Sequence, residues 1–133
     1  MIRNTAQVPV RLRIPMSSTP PPQIVEIKLR QKSRLLELSY ADGQRFELSH
    51  EFLRVYSPSA EVRGHGPGQE VLQLDKESVE IIRVEPVGAY AVQLHFSDGH
   101  STGIYSWDYL YDIGRHRDRL WSEYRAKVAA HRP

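Results

Sequence analysis

Ser57, Ser59, Glu61, Arg63 and His65 carry the chemistry-bearing groups of one stretch, Tyr56 to Gly68, where they stand among three glycines and two prolines. Such a composition suits a fixed irregular backbone with polar groups displayed on it. Arg63 and His65, flanked by Gly64 and Gly66, have the types needed to offer a carboxylate or phosphate a bidentate guanidinium, an imidazole and backbone N–H groups, with Arg54 just upstream as a second charge. The structural alternative pairs Arg63 with Glu61 or Asp98 and only stiffens the loop. His65 and His100 both sit in glycine-flanked loops, and with Glu61 or Asp98 they define the one candidate metal set; the competing reading leaves both as loop histidines bonded to backbone. Ser57 and Ser59 have no neighbouring base that sequence identifies, so neither reads as a nucleophile.

Other catalytic signatures are missing. The chain has no phosphate-binding loop ending in Gly-Lys-Ser/Thr, no dinucleotide fingerprint and no His-Glu-x-x-His helix. It has no cysteine, which excludes disulfides, thiolate metal sites and cysteine nucleophiles. The expectation is therefore a non-enzymatic protein without a cofactor.

The elements that would position these residues follow from patterning. At 133 residues the chain is long enough for one domain with one modest core. Residues 1–23 carry Arg3, Arg11 and Arg13 without an acid and end in Pro20-Pro-Pro22, which predicts a disordered or extended tail. The domain is expected over 24–128, with 129–133 as a second tail. From Ile24 the residues alternate, with Val25, Ile27 and Leu29 on the inward face of a strand. A second strand follows at Leu36, Leu38 and Tyr40, then an Asp42-Gly43 hairpin turn and a return at Phe46 and Leu48. Ser49 offers an N-cap for a helical turn over His50 to Arg54.

The same order recurs. Val79, Ile81, Ile82 and Val84 make a strand ended by Pro86 and Gly88; Ala91 to Phe96 follow, then Asp98-Gly99, a return at Thr102 and Ile104, and a helix capped by Ser106. Placing one Asp-Gly turn on the other lays Leu36, Leu38 and Tyr40 over Val92, Leu94 and Phe96. The reading is an internal pseudo-repeat of two three-strand-plus-helix units, giving an α+β fold with a small, mostly antiparallel sheet. Val71, Leu72 and Leu74 suggest an extra strand between the copies. The helix from Trp107 is the longest element, an amphipathic stripe through Leu110, Ile113, Arg117, Leu120, Trp121, Tyr124 and Val128, with a bend near Gly114.

Charge argues against nucleic acid. The formal net charge is +2, and the C-terminal Arg115, Arg117, Arg119, Arg125, Lys127 and Arg132 are interrupted by Asp112, Asp118 and Glu123. No apolar run approaches the roughly 18 residues of a membrane span, so the expected location is the cytoplasm. The exposed edges of a small sheet suit a monomer or a homodimer.

Three motifs in order, Leu53-Arg-Val-Tyr-Ser-Pro-Ser-Ala-Glu-Val-Arg-Gly-His-Gly66, Phe96-Ser-Asp-Gly-His100 and Tyr105-Ser-Trp-Asp-Tyr-Leu110, resemble the gamma-butyrobetaine hydroxylase-like N-terminal domain family, over about Ile24 to Tyr124. That family occurs as stand-alone bacterial chains, at the front of carnitine-pathway dioxygenases, and joined to P-loop carriers of iron–sulfur cluster assembly. The resemblance implies binding or assembly with a protein partner or a small anion, not the oxygenase chemistry of a separate domain. Dioxygenase members hold zinc through three loop cysteines and a histidine. The resemblance places Ser57, Ser59 and Val62 at the cysteine positions, with His100 retained, and so implies that the zinc site is lost.

Overall fold

The computed structural model describes residues 22–64 and 68–131. Most of the expected 1–23 tail lies outside them. Ten elements follow in order: β1 (Ile24–Arg30), β2 (Leu35–Tyr40), β3 (Arg45–Ser49), α1 (His50–Val55), α2 (Ala60–Arg63), β4 (Ile81–Val87), β5 (Ala91–Phe96), β6 (Ile104–Ser106), α3 (Trp107–Arg115) and α4 (Arg117–His131). The strands form two three-stranded antiparallel sheets, β1-β2-β3 and β4-β5-β6, rather than one. The fold is α+β.

The repeat holds at the level of single hydrogen bonds. Gly43 and Gly99 adopt φ +92° and +89°, the left-handed region that only glycine enters without a Cβ penalty. Their N–H groups bond to Tyr40 and Phe96 carbonyls, both at 3.0 Å, and the Tyr40 and Phe96 N–H groups bond to Gln44 and His100 carbonyls, both at 2.9 Å. Asp42 and Asp98 each accept from the backbone N–H two residues on, at 3.0 and 3.2 Å. Ser49 and Ser106 then cap α1 and α3 by accepting from the N–H groups of Phe52 and Tyr109 at 3.0 and 3.1 Å. Under this overlay the position of Gln44 in the first copy is His100 in the second.

Both copies feed one core. Leu36, Leu38, Leu48, Phe52 and Leu53 of the first unit and Ile81, Leu94, Phe96, Tyr105 and Leu110 of the second belong to a single buried cluster. Each aliphatic side chain so buried contributes on the order of 1.5–3 kcal/mol. α3 touches β3 as well as β6, so it spans the two sheets.

Several local details change or refine the readings from sequence. Val25 is 61% exposed, because a register shift between Ile24 and Glu26 turns Ile24 inward in its place; an equivalent shift between Ile81 and Arg83 leaves Ile82 outside. β4 runs through Pro86 to Val87, which an edge strand tolerates because it has no further neighbour that needs the missing N–H. In β6 the inward residue is Tyr105, and Ile104 points out. Residues Val71 to Leu74 form no strand: the Val71 N–H bonds to the Val62 carbonyl at 2.8 Å, tying this segment to α2 instead of to a sheet edge.

The long helix is two helices. The break falls at His116, which leaves helical geometry at φ −108° and ψ 19°. Gly114 serves a different purpose: a Cβ there would stand 2.4 Å from the Phe46 ring, so only glycine lets α3 lie this close to β3. α4 continues to His131, past the expected end of the domain at residue 128.

Candidate functional site

The stretch from Ser57 to Gly64 is partly helical, since α2 occupies Ala60–Arg63. Gly64 ends it at φ +73°, with a would-be Cβ 2.0 Å from the Gln69 carbonyl oxygen, so no other residue fits. The two loop serines are turned inward, while Glu61 and Arg63 stay exposed. Ser57 and Ser59 are 1% and 5% exposed, and their hydroxyls lie 2.9 and 3.4 Å from Nε2 of the buried His100. The other ring nitrogen, Nδ1, is 3.0 Å from a Glu61 carboxylate oxygen. The arrangement that satisfies these groups puts the imidazole proton on Nδ1, donating to Glu61, while Nε2 accepts from the Ser57 hydroxyl; Ser57 Oγ in turn accepts from the Ser59 N–H at 3.3 Å.

This connectivity is that of a nucleophile–base–acid relay, brought together across 43 residues from a base that sequence did not show. Gly103 closes it. A Cβ at Gly103 would stand 2.3 Å from Ser57 Oγ, so backbone covers the hydroxyl and no substrate carbonyl reaches it in this conformation. The relay joins α2 to the second hairpin. It also bears on zinc: Ser57 and Ser59 converge on His100, but hydroxyls are neutral, and the Nε2 lone pair already takes a hydrogen bond, so this donor set does not fit the metal. Among the described residues no three His, Asp or Glu side chains gather as a metal site. His65 lies outside them.

The pairing with Asp98 that the structural alternative gave to Arg63 is made by Arg54 instead. Arg54, expected as a loop charge, is buried: its Nε bonds to Asp98 Oδ2 at 2.9 Å and its Nη1 to the Gln73 side-chain oxygen at 2.9 Å. Lys76 reaches the same Asp98 oxygen at 2.8 Å. Burial pushes the Asp98 carboxyl up, but the bonds from Lys76, the His100 N–H and Arg54 outweigh it and hold the pKa at about 2. Arg63 pairs with neither Glu61 nor Asp98. It is exposed and lies over the Tyr109 ring, 4.9 Å from its centroid.

Beside the relay, α2, residues 70–73 and the α3 and α4 helices enclose a groove of about 790 Å3. Val55, Val62, Val71 and Leu72 supply apolar wall; Arg63, Lys127 and Glu70 supply charge. Three tyrosines line it with their rings, and each hydroxyl donates to a backbone carbonyl: Tyr56 to Leu120 at 2.6 Å, Tyr109 to Tyr56 at 2.6 Å and Tyr124 to Gln73 at 2.5 Å. Burial pushes the Tyr56 hydroxyl up to about 12, so it stays protonated and the bond persists. Sequence assigned Tyr124 to the core stripe and missed the groove, since Glu70, Val71 and Lys127 carry no motif. Elsewhere on α4, Arg117 pairs with Asp118 and Arg119 with Glu123, as a solvated face would.

Acidification should weaken the fold at the histidines. Burial lowers the pKa of His100, helped by the Arg54 charge and opposed by Glu61 and Asp98. Burial likewise lowers that of His50, whose Nδ1 accepts from the Ile81 N–H at 3.0 Å and therefore must stay unprotonated. Folded-state values below the unfolded value of about 6.5 mean stability that is present above that pH and lost as pH falls below it. Urea midpoints should drop between pH 7.5 and 5.5, and His100→Gln should flatten the slope. A wild-type midpoint constant over that range would refute the assignment.

The fold and site define a small α+β module of two fused strand-strand-strand-helix copies, with a polar relay whose serines and histidine are buried and an open groove where the linking loop meets the C-terminal helices. The model of the family described as gamma-butyrobetaine hydroxylase-like, N-terminal, matches residues 27–111, and the chain belongs to that family. A crystal structure of a protein of unknown function from Acidithiobacillus ferrooxidans, assigned to the DUF971 family, is 43% identical with a TM-score of 0.59, over 69% of this chain and 92% of that one. Two solution structures determined by NMR are 44% and 50% identical, with TM-scores of 0.72 and 0.73, covering 83% and 91% of this chain and 86% and 89% of theirs. No curated protein matches the chain. No described helix is long and apolar enough to cross a membrane.

Proposed function

We propose that this chain is a non-catalytic binding or assembly module that docks a protein partner or an anionic ligand in the groove between α2 and α4. The supporting observation is the groove itself: apolar walls, tyrosine rings fixed by spent hydroxyls, and two cations, Arg63 and Lys127, on its lining. Concave, mostly apolar sites with few polar groups are the usual form of a binding site. The family's settings suggest that the partner belongs to an iron–sulfur cluster or oxygenase system in the cytoplasm.

The test compares the immobilised wild-type chain with Val71→Glu in extracts of the native host. Val71 is 52% exposed on the groove wall, so a glutamate there leaves the core intact while placing a buried charge under any docked partner. Wild type should retain a defined partner that Val71→Glu loses by roughly ten-fold or more. Identical recovery from both proteins would remove the groove from the account.

A further inference from the structure

We infer that the groove between α2 and α4 takes a single carboxylate carried on a flat apolar body, such as an arylalkanoate. The inference rests on the docking reading above and narrows it to a ligand class.

Charge sets the first limit. Arg63 and Lys127 line the groove as cations and Glu70 as an anion, a sum of one positive charge. One carboxylate neutralises that sum. A phosphate monoester would carry a second negative charge toward Glu70, and a polyanion several more. The guanidinium of Arg63 is already placed, lying against the Tyr109 ring, so less side-chain freedom is lost when it binds.

Wall chemistry sets the second limit. With the hydroxyls of Tyr109 and Tyr124 committed to backbone carbonyls, the groove meets a ligand body with ring surface and with Val62 and Val71. A body able to stack buries apolar area there without leaving a polar atom unpaired.

The probe is phenylacetate, titrated into the full chain. Amide shifts in a heteronuclear NMR spectrum report the binding, as does the fluorescence of Trp121, which stacks on Tyr124 at 5.0 Å. Saturable binding should move amides in 62–64, 70–73 and 124–127. Phenylacetamide, the neutral isostere, should bind roughly ten-fold more weakly, and Arg63→Gln should impose a similar loss. Phenyl phosphate should bind more weakly than phenylacetate, and Glu70→Gln should narrow or reverse that order. Absence of saturable phenylacetate binding, equal binding of the amide, or indifference to Arg63→Gln would each overturn the inference. If phenylacetate fails while Val71→Glu still abolishes partner capture, the ligand class is wrong and the docking reading stands; if neither behaves as expected, both fall.

Discussion

Asp98→Ala should lower the unfolding free energy by about 3 kcal/mol, near the lower end of what breaking a buried ion pair costs. The reason is what remains. Arg54 is 8% exposed at its side chain and has two partners, Asp98 Oδ2 and the Gln73 oxygen. Without the carboxylate its charge is held out of water by a single neutral amide, next to Lys76, which has lost the same partner. Asp98 is only 21% exposed itself, so water does not readily take its place. For a chain of this size the cost corresponds to a fall in Tm of roughly 10 °C.

Asp98→Asn should cost less, since the amide oxygen can still accept from the His100 N–H and keep the turn. Arg54→Met on the Asp98→Ala background should recover part of the loss by removing the stranded charge, a non-additivity that a double-mutant cycle measures. The pH dependence has a definite sign. With its folded pKa held at about 2, against an ordinary carboxylate value near 4, the pair's stabilisation is complete above that ordinary value and disappears as pH falls toward 2. This window lies well below the histidine range, so the two acid effects separate. A loss under 1 kcal/mol for Asp98→Ala would mean that Arg54 finds water, and the network would not anchor the loop.

What could be read from sequence was local. The Asp42-Gly43 and Asp98-Gly99 turns, the Ser49 and Ser106 caps and the Leu36-Leu38-Tyr40 alternation each depend on neighbours in the chain, and each appears in the structure. Val25 was misplaced because a register shift inverts the inside-outside rule without changing composition. Ile104 does lie on the return strand, but no local pattern marks Tyr105 as the inward residue there; its hydroxyl donates a hydrogen bond to the Leu53 carbonyl, 52 residues away. The site was less legible than the fold. Ser57, Ser59, Glu61 and His100 were singled out, yet their convergence depends on the loop folding back onto the second hairpin, and no spacing rule encodes that. Arg54 in α1 and Arg63 in α2 are the same residue type; burial distinguishes the structural arginine from the groove arginine.

Tyr105→Ala should be the most destabilising single change of those considered, about 3–5 kcal/mol, and it tests whether the two copies are one folding unit. Tyr105 has no exposed surface and belongs to the second copy, while its hydroxyl donates to the Leu53 carbonyl in α1 of the first at 2.5 Å. Burial raises its pKa, so the hydroxyl is protonated and donates at neutral pH. Alanine removes the ring from the middle of the shared cluster and also leaves the Leu53 carbonyl without that partner. Tyr105→Phe keeps the ring and should cost about 1–2 kcal/mol, which separates the hydrogen bond from the packing. Trp107 caps the second sheet through its indole bond to the Ala89 carbonyl, and Trp121 packs on Phe52 of the first unit. Single-tryptophan variants therefore report on each half. In Tyr105→Ala both probes should move to the same lower urea midpoint, because one core loses its stability as a whole. If Trp121 kept its wild-type transition while Trp107 lost its own, the copies would be independent domains in contact, and the groove between α2 and α4 would need a different scaffold to hold its shape.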